Sequence, residues 1–115
     1  MEIIELKEEE TIRYLNGIKI ISLELVVGNF EISVPDDLSY INVTKGGDSP
    51  NAFEVEWEGT GLSISFTKAT MEYLSDDKVL VKFYKNGRDT PEMTCVVVKM
   101  DVIHIIREYN LSIFN

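Results

Sequence analysis

The sequence predicts a mainly β fold, an antiparallel meander of seven to eight strands with one C-terminal helix. Two observations favour it. Apolar and polar residues alternate along much of the 115 residues, and short turns rich in Gly and Asn interrupt that alternation. At this length, residues 1–115 form a single domain, which can be a small sandwich, a partly open barrel or a curved sheet packed on the helix.

The clearest element is a hairpin over residues 53–66 that turns at Gly59-Thr60. A two-residue turn with Gly in first position fixes the register and places every apolar residue on one face. The apolar pairs are Trp57–Leu62, Val55–Ile64 and Phe53–Phe66. The other face pairs Glu54 with Ser65 and Glu56 with Ser63.

Two further hairpins are indicated upstream. Gly28-Asn29 turns a hairpin in which Val27 faces Phe30, Leu25 faces Ile32 and Leu23 faces Val34. Asn16-Gly17 is a strong hairpin signal, and we favour a third hairpin there. Residues 7–15 also fit a short helix that ends at Gly17.

Strands are also predicted over residues 40–44, 79–85 and 94–100. Val96-Val97-Val98 is apolar on both faces, which is typical of a central strand that is covered on both sides. A helix over residues 101–109, with Asp101 as N-cap, is the best cover, although its β-branched residues leave a strand open. Residues 69–74 fit either a helical turn or a strand that leads into a hairpin at residues 75–77.

The composition excludes several classes of protein. A single cysteine, Cys95, an N-terminus unlike an export signal and the lack of any apolar stretch of about 20 residues predict a cytoplasmic protein without a membrane partner. The only histidine, His104, lies in an apolar run, so neither a Cys-His catalytic pair nor a structural zinc site is expected. The glycines match no phosphate or dinucleotide motif. We therefore expect no enzyme, no catalytic residue, no metal and no cofactor.

The charge is unevenly distributed along the chain. Residues 1–60 contain thirteen acids and four bases, whereas residues 61–115 contain seven of each. This acidity argues against direct nucleic-acid binding and favours a basic protein as partner. The expected partner-binding residues are Glu54, Glu56 and Glu58, and in second place Glu8, Glu9 and Glu10. Alternatively, lysines of a neighbouring strand, such as Lys82 or Lys19, neutralise the strand glutamates, and the acidity serves only solubility.

These observations favour a small acidic cytosolic binding protein that neutralises or inhibits a basic protein target by blockade. In size, acidity and lack of catalytic groups it resembles toxin-immunity proteins and phage anti-defence inhibitors. One alternative is a small-molecule-binding barrel or oligomer that acts as a ligand sponge or sensor. Its ligand-binding candidates are Trp57, Tyr73, Tyr84, Lys85 and Arg88. The other alternative is a structural or assembly subunit that pairs with itself through an edge strand. A homo-oligomer is possible in that case.

Overall fold

The computed structural model describes residues 3–27, 30–34, 40–46, 51–58 and 63–108. These residues contain nine strands, two α-helices and one 3-10 turn. The strands are β1 Ile3–Leu6, β2 Ser22–Val27, β3 Phe30–Val34, β4 Ile41–Lys45, β5 Phe53–Trp57, β6 Ser63–Phe66, β7 Lys68–Ser75, β8 Lys78–Tyr84 and β9 Met93–Val98. The helices are α1 Glu8–Leu15 and α2 Ile103–Glu108, and the 3-10 turn Lys99–Asp101 precedes α2.

The strands form two antiparallel sheets, which confirms the predicted mainly β fold with a C-terminal helix. The larger sheet has six strands in the order β1-β7-β8-β9-β2-β3, and the smaller has three in the order β4-β5-β6. Strands that follow one another in the chain are mostly neighbours, as in a meander. Among the arrangements predicted, two open sheets packed on each other correspond to the small sandwich.

The apolar core lies between the two sheets. The buried rings of Phe53 on β5, Phe66 on β6 and Phe83 on β8 meet there, with the centroid of Phe83 at 6.2 Å from Phe53 and 5.5 Å from Phe66. Because Phe53 and Phe66 belong to one sheet and Phe83 to the other, this aromatic cluster joins the sheets. No helix among the described residues has the length and apolar character needed to cross a membrane.

The register predicted for the clearest hairpin is confirmed wherever it is described. β5 and β6 pair Phe53 with Phe66, Val55 with Ile64 and Glu54 with Ser65. The predicted Trp57–Leu62 pair and the Gly59-Thr60 turn lie outside the described residues. The β2–β3 pairs are also confirmed, whereas their Gly28-Asn29 turn is outside the described residues.

The hairpin predicted at Asn16-Gly17 is wrong, because the residues before it form helix α1. Gly17 has φ +81°, and this left-handed conformation ends a helix as well as it builds a tight turn. The Asn16 side chain accepts a hydrogen bond of 2.8 Å from the backbone N–H of Val43 on β4. At the other end of α1, a Glu10 carboxylate oxygen accepts one of 3.2 Å from the Lys7 N–H.

The structure also decides between helix and strand for the two other segments that fit both. Residues 69–74 belong to β7, which continues through a tight turn at Asp76-Asp77 into β8. The C-terminal helix starts at Ile103, and the Val102 carbonyl accepts its first hydrogen bond, from Ile106, at 3.3 Å. Asp101 is therefore not the N-cap, because it belongs to the 3-10 turn that follows β9.

Strand β9 is central, between β8 and β2, but its two faces differ. Cys95 and Val97 are buried on the core face, whereas Val96 and Val98 on the other face are only partly buried. The buried residues of α2, Ile105 and Ile106, belong to the same core cluster as Cys95 and Val97. The sequence predicts that this helix covers the second face of β9. The helix closes the core instead.

Candidate functional site

Strand β5 displays a row of three glutamates, Glu54, Glu56 and Glu58, which we call the acidic row. Along β5, the buried residues Phe53, Val55 and Trp57 alternate with the exposed Glu54 and Glu56, and Glu58 is exposed just beyond the strand. This alternation puts the three carboxylates on the outer face of the three-stranded sheet.

The residues directly opposite Glu54 and Glu56 on both adjacent strands are neutral. Glu54 stands between Thr44 on β4 and Ser65 on β6, and Glu56 stands between Asn42 and Ser63. The two ion pairs found among the described residues, Lys82–Glu72 and Lys85–Glu92, lie elsewhere. The one cation on these three strands, Lys45 at the end of β4, stands opposite Phe53, so neither Glu54 nor Glu56 has a cation directly opposite it.

The two lysines considered as neutralising partners do not pair with the acidic row. Lys82 lies on β8 in the other sheet, where its ammonium contacts Glu72 at 2.5 Å and the pKa of Lys82 is raised by this hydrogen bond. Lys19 forms an isolated antiparallel β-bridge with Tyr40 through the backbone. The Tyr40 carbonyl in turn accepts a hydrogen bond of 3.1 Å from the N–H of Glu58. Tyr40 thus stands between Lys19 and the end of the row. All eleven Lys and Arg residues fall within the described ranges.

The second set of predicted partner residues, Glu8, Glu9 and Glu10, occupies the first turn of α1. Negative side chains stabilise this end of a helix, where backbone N–H groups are unpaired and the helix dipole is positive. Glu10 also accepts the hydrogen bond from the Lys7 N–H. These three residues therefore have a local structural role, and the structure places them on a helix rather than on the strand face of the acidic row.

An open cleft of about 940 Å³ lies at one end of the sandwich, and we call it the cationic cleft. Four of the residues that line it are cations, Lys7, Lys68, Lys85 and Arg88. Two acids, Glu5 and Glu8, also line it. The other described residues that line it are neutral, so the described side chains of the cleft carry a net charge of +2 in a chain whose net charge is −9.

Parts of the chain far apart in sequence build the cationic cleft. Lys7 directly precedes α1, Lys68 begins β7, and the β8–β9 loop supplies Lys85 and Arg88. The loop is held by a hydrogen bond of 3.1 Å from the Arg88 N–H to the Lys85 carbonyl. Ala52, which lines the cleft just before β5, is held against Gly46, whose N–H donates a hydrogen bond of 2.9 Å to the Ala52 carbonyl. A Cβ on residue 46 would lie only 3.0 Å from Ala52, so this close approach requires glycine.

The residues predicted for a small-molecule site are only partly brought together. Lys85 and Arg88 line the cationic cleft, and Tyr84 is half-buried beside Lys85. Trp57 is only 1% exposed and belongs to the core. Tyr73 lies near the other end of β7, where its hydroxyl donates to Asp76 at 3.1 Å, and burial together with this bond raises the pKa of Tyr73.

Sequence reasoning missed Lys7 and Lys68. The β7–β8 register places Lys68 directly opposite Tyr84, one residue before Lys85, and the Lys68 ammonium lies 4.5 Å from the centroid of the Tyr84 ring. A cross-strand pairing of residues 68–75 with residues 78–84 would have placed Lys68 there. No comparable local signal marks Lys7.

The two side chains considered for nucleophilic catalysis, Cys95 and His104, lie on different elements. Cys95 is buried in β9, and burial raises the pKa of its thiol to about 12. His104 is exposed on α2, with its ring 5.9 Å from that of Tyr14. A hydrogen bond to Glu108 raises the pKa of Tyr14. Within the described ranges, no three side chains of His, Cys, Asp or Glu are placed to hold a metal ion together.

Comparison of the chain with protein-family models, with curated proteins and with solved structures finds no match. The acidic row and the cationic cleft are therefore the two features from which a function can be inferred. The acidic row suits a large cationic surface because it is exposed and extended. The cationic cleft is concave, which suits a small molecule.

Proposed function

We propose that this protein is a small, non-catalytic binding protein of the cytoplasm that neutralises a basic protein target by blockade, as immunity or anti-defence inhibitors do. One observation carries the proposal. Glu54, Glu56 and Glu58 are exposed together on one sheet face, and the neighbours of Glu54 and Glu56 on both adjacent strands are neutral.

The energetics of the row favour a cationic partner. Successive carboxylates on one strand face are about 7 Å apart, a distance at which like charges repel measurably in water. A partner surface of Lys and Arg removes that repulsion and replaces it with attraction. Complementary charge mainly accelerates association and selects the partner. A target that normally binds a polyanion through its basic surface is blocked when the acidic row occupies that surface.

The proposal is tested with a triple variant and a charge-matched control. The variant E54Q/E56Q/E58Q removes the three charges and keeps the side-chain size. The control E24Q/D89N/D101N removes three exposed acids elsewhere, so that both proteins have the same net charge. Each protein is immobilised and exposed to a lysate of the native host, and the captured proteins are identified by mass spectrometry.

We expect a basic protein to be captured by the wild type and by the control, and to be lost with the triple variant. With that purified partner, its affinity for the triple variant falls about thirtyfold or more, and raising the salt concentration weakens wild-type binding. Equal capture by the triple variant contradicts the proposal. So does an affinity that is the same in low and in high salt.

A further inference from the structure

The cationic cleft gathers four of the eleven Lys and Arg residues of a strongly acidic chain. Like charges that converge on one concavity repel one another, and the field in a cleft is stronger than on a flat surface. An anion bound in the cleft is attracted by several of these cations at once. The acidic row does not explain these cations, because they lie on other elements.

The cations of the cleft are accessible to a ligand. Lys85 pairs with Glu92 at 3.6 Å, but the two side chains keep 46% and 31% of their surface exposed, and pairs this open to solvent contribute little. Lys68 packs on the Tyr84 ring, which leaves ammonium protons free to donate. Arg88 is exposed, and among the described residues no ion pair joins it to an acid. Its planar guanidinium donates two parallel hydrogen bonds to a phosphate or a carboxylate.

We propose that the cationic cleft binds a small organic phosphate of nucleotide size, with its phosphate oxygens on Lys68, Lys85 and Arg88. The volume, about 940 Å³, is at the upper end of the usual range for small-molecule sites. Thr67, next to Lys68 in the chain, also lines the cleft, and its hydroxyl is a further hydrogen-bond donor.

The two acids of the cleft specify the rest of the ligand. Glu5 and Glu8 come from β1 and α1, whereas Lys85 and Arg88 come from the β8–β9 loop. Carboxylates repel phosphate and accept hydrogen bonds from amino or hydroxyl groups. A purine nucleotide has both parts, an anionic end for the cations and a base with N–H donors for the glutamates. Inorganic phosphate has only the first and binds more weakly.

The test is a titration of the purified protein with ATP, AMP, inorganic phosphate and citrate, followed by NMR of the backbone amides. We expect saturable shifts with ATP and AMP at residues 65–68 and 85–88, and weaker binding of phosphate and citrate. The variant K85Q/R88Q lowers ATP affinity about tenfold or more, because it removes charge-assisted hydrogen bonds. The control K19Q/K78Q also removes two exposed lysine charges, which lie outside the cleft, and changes affinity less than about twofold.

Several results would overturn the proposal. One is the absence of saturable binding of either nucleotide at concentrations up to about 10 mM, which corresponds to an interaction too weak for a built site. Another is an equal loss of affinity in K19Q/K78Q, which would show general attraction to lysines. Citrate binding as tight as ATP binding would assign the cleft to polycarboxylates instead. An amide spectrum of K85Q/R88Q that matches the wild type outside the cleft excludes misfolding as the cause of a loss.

Discussion

Replacing the central member of the acidic row, Glu56→Gln, should stabilise the protein. Glu54 and Glu58 lie two residues away on either side, at about 7 Å, and each repels Glu56 by about 0.6 kcal/mol in water. The unfolded chain keeps part of this repulsion, because the three residues are close in sequence. The gain in stability is therefore at most about 1 kcal/mol at an ionic strength of about 0.01 M and about 0.1 kcal/mol at about 1 M. Glutamine keeps the shape of the side chain and removes this repulsion.

Urea unfolding measures the effect, because urea is uncharged and leaves the ionic strength free to vary. At a slope of about 2 kcal/mol per M, the low-salt midpoint of Glu56→Gln should rise by up to about 0.5 M, and the gain should vanish in high salt. Glu5→Gln is the control, since Glu5 on β1 has Ile3 and Lys7 two residues away on either side and stands opposite Thr70. If both variants change stability equally, or if the gain survives high salt, the acidic row is not an unneutralised set of charges.

Two further predictions concern the core. Phe83→Ala should cost about 3–5 kcal/mol in urea unfolding, because Phe83 joins the two sheets through Phe53 and Phe66, whereas Leu80→Ala on the partly exposed face of the same strand should cost clearly less. Above pH 9, the unfolded chain loses the Cys95 proton while the folded thiol keeps it up to about pH 12, so stability falls by about 1.4 kcal/mol per pH unit in this window. Cys95→Ala should lack this component of the alkaline loss, and an unchanged pH dependence would contradict the burial of the thiol.

The strands could be predicted where local pattern and pairing partner lie close together in sequence. The register of β5 on β6 follows from alternation and a two-residue turn, so no distant residue is needed to place Glu54 opposite Ser65. From the sequence, helix α1 ranks below a hairpin because Asn-Gly serves both a hairpin turn and a helix end. The hydrogen bond that holds Asn16 in place comes from Val43, 27 residues away, and local sequence cannot reveal such a partner.

The cationic cleft was beyond sequence reasoning for a similar reason. Lys85 and Arg88 were identified because they are close in sequence to each other and to Tyr84. Lys7 joins them only because β1 pairs with β7 at the edge of the larger sheet and α1 follows directly. The strand order places the first strand of the chain beside the seventh, and no periodicity encodes that non-local pairing.

The charge imbalance between the two halves of the chain does not survive as an imbalance between two regions of the molecule. Glu5 and Glu8, from the acidic half, line the same cleft as Lys85 and Arg88, from the neutral half. Glu9 and Glu10 are accounted for by the first turn of a helix. These four of the thirteen acids in residues 1–60 are thus explained by local structure, whereas the three glutamates of the acidic row are not. A charge cluster that folding leaves without a neighbour is more informative about a partner than the net charge of a segment, because only the former is displayed as a surface that another molecule can contact.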